Sequence, residues 1–166
     1  MATIPTIDDV AKLPTEERLD RLTRTPDELA ARLEGKSASG LARRPDAASW
    51  APVEVVCHLR DADRVFMERF QTIAAIDEPR LAGPDTDRWV EEQQYLRHDA
   101  TVALGHFRRR RDESLAYLRG LPPAGWRRGG VHPVRGRITV DDFVTLMAFH
   151  DLNHLAQLDR GLRGEP

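Results

Sequence analysis

Cysteine is nearly absent from this chain of 166 residues, in which Cys57 is the single one. An intrachain disulfide is therefore excluded, and the composition is compatible with a reducing cytoplasm, where we expect the protein to work. The chain also lacks any run of about 20 apolar residues, so no membrane span is predicted. The segment from Met1 to Asp9 has neither a basic start nor an apolar stretch, and no signal peptide is expected.

An excess of one charge is also missing, because the formal net charge is only −2. That balance argues against a nucleic-acid partner bound through overall positive charge. The one dense basic run is Arg108 to Arg111. On a helix four consecutive residues cover more than a full turn, so we interpret this run as a solvated surface rather than a phosphate site.

The apolar residues that are present recur at helical spacing through most of the chain, which we expect to fold as one domain over residues 1–166. Four segments are predicted as helices: residues 15–34 with a break near Thr25, Pro52 to about Ile76, about Asp87 to Arg119, and a last helix capped by Thr139 that ends near Leu162.

The connections between these segments are rich in glycine, proline and polar residues. Residues 36–51 and 79–84 are expected to be loops, and a short hairpin is expected within residues 131–138 before the last helix. Long helices without alternating strands indicate an all-α protein, specifically an up-down four-helix bundle.

Two histidines, His150 and His154, stand four residues apart on the last predicted helix. At that spacing both imidazoles project from one face, about 6 Å apart along the axis, and can share one metal ion. They lie on the stripe of Phe143 and Met147, where apolar core residues are expected.

His58 falls on the inward stripe of the second helix with Val55 and Ala62. A single inward histidine is ordinarily a hydrogen-bonded core residue. Burying three imidazoles without partners costs a few kcal/mol each, whereas one metal ion would satisfy all of them. The spacing leaves both interpretations open.

The string from Trp50 to Asp61, with Pro52, Glu54 and His58-Leu59-x-Asp61, resembles the second-helix signature of the DinB/YfiT superfamily. His150-x-x-x-His154-x-x-Gln157 resembles its C-terminal signature, and Asp87-Arg88-Trp89-Val90 is similar to the start of its third helix. Ala51 departs from the pattern, since the family usually has Ser or Thr at this helix N-cap, and the loss is about 1 kcal/mol of helix stability.

This resemblance implies a four-helix bundle with a divalent metal, commonly nickel or zinc, held by His58, His150 and His154. It also implies a homodimer. Three neutral imidazoles leave a coordination position open, as in catalytic sites. Asp61, one turn beyond His58, could orient a ligand imidazole; an ordinary salt bridge is the alternative.

The resemblance suggests three functions that act on or bind a small molecule. The first is metal-assisted transfer that uses a low-molecular-weight thiol as cofactor, because characterised relatives include such enzymes. The second is metal-dependent hydrolysis of a small molecule. The third is a non-catalytic, stress-linked protein that binds a metal or ligand. A peptidase is disfavoured: His150-Asp151-x-x-His154 is similar to the zincin motif, but Asp151 is one methylene shorter than the glutamate that acts as base there.

The remaining candidates carry weaker expectations. We interpret Cys57 as a half-buried helix residue rather than a reactive thiol, and we expect Asp151 and Asn153 to face solvent or an interface. Surface or structural roles are also predicted for four further groups: His132, His98, His106, and the pair Trp50 and Trp126, which we expect at the bundle ends.

Overall fold

The structure is a computed structural model that describes residues 5–83 and 86–166, without the side chain of Asp87. Predictions that touch residues 1–4 and Pro84 lie outside the described residues. The described ranges contain eight α-helices, a 3-10 turn at Tyr95–Arg97 and one hairpin. The helices are α1 (Ile7–Ala11), α2 (Thr15–Leu33), α3 (Ala38–Leu41), α4 (Pro52–Ala75), α5 (Thr86–Glu92), α6 (Ala100–Arg119), α7 (Pro123–Arg127) and α8 (Val140–Arg163); the strands are β1 (Gly129–His132) and β2 (Gly136–Thr139).

Helices α2, α4, α6 and α8 form a four-helix bundle, which confirms the expected fold class. Helix α2 packs against α6 and α8, and α4 packs against the same two, so α2 and α4 lie on one diagonal. His58 in the first half of α4 meets His150 near the middle of α8, whereas Phe70 near the end of α4 meets Phe143 in the first turn of α8. Helices α4 and α8 are therefore antiparallel.

The two other pairings fix the remaining directions. Thr25 bonds to Asp151 and Arg32 to Asp159, so α2 and α8 are parallel. Asp63 bonds to Arg111, and the Phe70 ring stacks on Tyr117, so α4 and α6 are also parallel. The four directions are thus up, down, down, up, rather than the alternating up-down order expected from the sequence. This order requires a long connection after α4, because the chain must return to the starting end before α6 begins.

Helix α2 is continuous, so the predicted break near Thr25 is wrong. Pro26 lies inside the helix and has no N–H, which leaves the carbonyl of Leu22 without its usual donor four residues later. The Arg111 guanidinium donates to that carbonyl at 2.9 Å. A partner from another helix therefore satisfies the group that would otherwise favour a break.

The third predicted helix, Asp87 to Arg119, is in fact two helices separated by the 3-10 turn. Gln94 adopts the left-handed conformation with φ 49°, which ends α5 and redirects the chain. Asp99 then caps α6 by accepting from the N–H groups of Thr101 and Val102. Leu96, expected as a core anchor, lies in the interrupting segment and is exposed.

The segment before α8 folds as the expected hairpin, with β1 antiparallel to β2. The hydroxyl of its last residue, Thr139, accepts from the Asp142 N–H, and the Thr139 N–H donates to the Asp142 carboxylate. The predicted cap of α8 is therefore confirmed. The hairpin closes one end of the bundle and fixes where α8 enters it. None of the described helices is both long and apolar enough to span a bilayer.

Candidate metal centre

The three histidines singled out in the sequence come together between α4 and α8; they are His58, His150 and His154. Their ligand nitrogens all lie within 4.8 Å of one another, and Nε2 of His58 is 2.9 Å from Nε2 of His150. His58 is buried, and the other two side chains are partly buried. The antiparallel packing produces this cluster, because it sets the first two turns of α4 beside the middle of α8.

Hydrogen bonds around the cluster distinguish the two nitrogens of each ring. Nδ1 of His154 lies 2.7 Å from Oε1 of Gln157, one turn further along α8. An amide oxygen only accepts, so Nδ1 carries the proton and Nε2 of the neutral ring is left with a free lone pair. Nδ1 of His58 is buried and finds no hydrogen-bond partner in the described part of the chain.

Aromatic rings line the cluster on two sides. Trp50, just before α4, stacks parallel to the His154 ring at 6.0 Å between centroids and packs at 5.0 Å against the His58 ring. Phe66 meets the His150 ring edge-on at 6.1 Å. These rings cover part of the cluster and lower the local dielectric, so charges and dipoles there interact more strongly than in water.

Burial holds the three imidazoles in their neutral form. Desolvation, followed by the charge of His154, lowers the pKa of His58 to about 3. Desolvation likewise lowers the pKa of His150 well below its ordinary value, and it lowers the pKa of His154 against the opposing hydrogen bond from Gln157. Neutral imidazole is the form that binds a metal, so no proton has to be removed before coordination.

Asp61, considered as an orienting group for His58, has other partners. Its carboxylate accepts from Arg60 at 2.6 Å, from the Tyr95 hydroxyl at 2.7 Å and from Arg110 at 2.9 Å. Burial opposes its ionisation, but these hydrogen bonds lower the pKa of Asp61 to about 2. No hydrogen bond joins it to His58 within the described residues, so it forms the interhelix salt bridges that were the alternative.

Cys57 is fully buried rather than half-buried. Desolvation raises the pKa of its thiol to about 12, so the thiolate is not populated at neutral pH. The chain itself therefore offers no reactive thiol beside the histidine cluster.

The other histidines lie apart from the cluster. His106 and His98 are exposed, and Nδ1 of His98 contacts the Arg60 guanidinium at 3.2 Å. His132 ends β1, where its Nδ1 accepts from the N–H groups of Val134 and Arg135 in the hairpin turn. The surface and structural roles predicted for them agree with these positions.

Two charged residues are placed differently from expectation. Arg111, predicted to belong to a solvated basic surface, has only 2% of its side chain exposed. Its guanidinium binds Asp63 at 2.9 Å and Asp151 at 2.6 Å. Asp151 therefore faces the bundle interior rather than solvent. Arg111 recurs at helical spacing with Leu104, Phe107 and Leu115, and that signal could have predicted its burial.

Trp50 is the site residue that the sequence interpretation missed, since it was expected only to pack at a bundle end. It stands eight residues before His58, and the signal was its position just ahead of the helix that carries a ligand. Trp126, which lies in α7, is partly buried and packs against the hydrophobic core.

A family model described as the DinB superfamily matches residues 21–158 of the chain. The chain belongs to the DinB superfamily. The resemblance read from the two histidine signatures is thus confirmed. No curated protein sequence matches this DinB-superfamily chain.

A solved structure similar to this DinB-superfamily chain is that of YfiT from Bacillus subtilis, with a TM-score of 0.83 and 23% sequence identity. The match covers 90% of this chain and 86% of that one. At this identity the likeness shows the fold alone. YfiT is described as a probable metal-dependent hydrolase with an unusual four-helix bundle topology.

Proposed function

We propose that this protein is a metal-dependent hydrolase of a small molecule, with a divalent ion held by His58, His150 and His154. The observation that carries the proposal is the convergence of three neutral imidazoles within 4.8 Å on two facing helices. The description of YfiT as a probable metal-dependent hydrolase supports hydrolysis as the chemistry.

The donor set fits a divalent ion. Imidazole nitrogens suit nickel and zinc, and three of them are the usual protein ligands of a catalytic zinc site. The Gln157 bond to Nδ1 of His154 is the kind of outer contact that fixes a ligand ring, with Nε2 aimed at the ion.

A divalent ion held there would supply Lewis acidity, which polarises a substrate carbonyl and lowers the pKa of coordinated water. The protein's own residues contribute orientation and a dry environment: Gln157 fixes the His154 ring, and Trp50 and Phe66 shield the cluster. Asp151 cannot act as a zincin-type base, because its carboxylate is buried and bound to Arg111 and Thr25. This geometry further disfavours a peptidase.

The test is metal content measured by mass spectrometry on untagged protein purified without chelator. We expect about one equivalent of nickel or zinc in the wild type, and nearly none in His58→Ala or His154→Ala, because two imidazoles bind too weakly to retain the ion. His106→Ala is the matched control, since His106 is exposed and lies on another helix. No metal in wild type after reloading would refute the proposed site.

Thiol-dependent transfer is the second candidate, supported by the family resemblance. The buried, protonated state of Cys57 requires any thiol to come from a cofactor. A hydrolase should turn over activated esters or amides without added thiol. A transferase should consume an electrophile only when a low-molecular-weight thiol is present. A protein that binds the metal but does neither would support the binding-protein alternative.

A further inference from the structure

Arg69 on α4 is a partly buried arginine without an acidic partner among the described residues. No carboxylate of the described residues forms an ion pair with it, and its Nε is buried without any hydrogen-bond partner. Its one hydrogen bond runs from Nη2 to the Ala82 carbonyl at 3.2 Å. The guanidinium lies over the rings of Phe66 and Phe143, at 5.8 Å and 5.3 Å.

Other inward arginines of the bundle are neutralised. Arg18 pairs with Asp141, Arg60 with Asp61, and Arg111 with two aspartates. Desolvation lowers the pKa of the Arg69 guanidinium, and no carboxylate of the described residues offsets it. A partly buried charge without a counter-ion is costly, and ring contacts compensate for only part of that cost.

The Arg69 side chain borders a cleft of about 400 Å³ between α4 and the segment that leads into α5. The cleft is also lined by Arg64, Glu68, Arg80 and Trp89. Glu68 is the carboxylate among the described lining residues, and Arg64 already pairs with it at 2.5 Å. Arg80 is exposed, and its guanidinium forms no hydrogen bond or ion pair with the described part of the chain. Among the described residues of the lining, three guanidinium groups thus face one carboxylate.

We propose that this cleft binds the oxyanion group of a small molecule, a carboxylate or a phosphate, with Arg69 as its principal ligand and Arg80 as its second. A guanidinium presents parallel N–H donors that match two oxygens of either group, and no hydrogen bond within the described residues occupies Nη1 of Arg69. The Arg64 guanidinium lies over the Trp89 ring, 5.9 Å from its centroid, so a flat aromatic surface lies beside Arg69 and Arg80 in the cleft. This binding site is separate from the histidine cluster, because the Phe66 ring lies between Arg69 and His150.

The test is a titration of the full chain followed by NMR at the indole N–H of Trp89, assigned with Trp89→Phe. Inorganic phosphate and acetate are added in separate experiments at constant ionic strength. We expect a saturable shift with at least one of them, and their ratio of affinities tells phosphate from carboxylate. Arg69→Gln should weaken binding about 10-fold or more, since it removes a charge-assisted pair, and Arg69→Lys should give an intermediate loss.

The matched control is Arg109→Gln, which removes an exposed arginine of α6 and should change the affinity by less than about 2-fold. If Arg69→Gln also lowers the melting temperature, the variant Arg80→Gln serves as the test instead, because Arg80 is exposed. We expect it to lower the affinity for the anion several-fold. The proposal is overturned if neither anion gives saturation, or if Arg69→Gln and Arg80→Gln both bind as wild type does. His154→Ala should bind the anion normally, so failure of the metal site and failure of this site are distinguishable.

Discussion

A single side chain, Gln157, decides which nitrogen of His154 is free. Replacing it by leucine removes the acceptor for Nδ1–H, so the ring can change tautomer or rotate away from the other two ligands. We expect Gln157→Leu to lower the affinity for nickel or zinc about 10- to 100-fold. Competition against a chelator of known affinity measures the change.

Gln157→Glu serves as the control, because it retains an oxygen at the same place and should keep at least wild-type affinity. Both variants should melt as the wild type does when metal-free, since Gln157 is only partly buried. Equal metal affinities for Gln157→Leu and wild type would show that the ring is oriented without this hydrogen bond.

At the scale of one element, the start of α4 is under-capped. Ala51 is the N-cap, and its N–H donates to the Glu54 carboxylate at 2.7 Å, but its methyl side chain cannot accept in return. A serine there would accept from the Glu54 N–H and complete the reciprocal pair. We expect Ala51→Ser to raise the free energy of unfolding by about 0.5–1 kcal/mol, measured by urea denaturation.

The complementary change is at α8, where the cap is complete. Thr139→Ala should lower the free energy of unfolding by about 1 kcal/mol, because it leaves the Asp142 N–H without its acceptor. If Thr139→Ala lowers the free energy of unfolding but Ala51→Ser does not raise it, the buried position of Ala51 has no room for the hydroxyl.

At the scale of the whole molecule, Arg111 joins all four helices of the bundle. From α6 it binds Asp63 on α4, Asp151 on α8 and the Leu22 carbonyl on α2. Arg111→Met would leave two buried carboxylates without their cation and the Leu22 carbonyl without its donor. We expect a loss of about 3–5 kcal/mol in the free energy of unfolding of the metal-free protein.

Urea denaturation of Arg111→Met beside Arg109→Met measures this effect. Arg109 is exposed on the same helix, so its replacement should change stability by less than about 0.5 kcal/mol. Similar stabilities for the two variants would show that the buried cluster does not hold the bundle together.

Local chemistry explains why several elements could be predicted from the sequence. Helix α4 begins at Pro52 as expected, since proline suits a first helical position, and the Thr139 cap fixes the start of α8. The break expected near Thr25 failed because its signal was local, whereas the donor that satisfies the Leu22 carbonyl comes from a residue 89 positions away.

The sequence by itself determined the helical class, the family and the three histidines, because periodicity, caps and spacing are properties of short segments. Only the tertiary structure decided which charges are buried, as for Arg111 and Asp151. It also decided which charges have no acidic partner among the described residues, as for Arg69. The up, down, down, up order also needed the structure. A charge can be paired with a residue from any part of the chain, so its energy depends on packing that a local pattern does not contain.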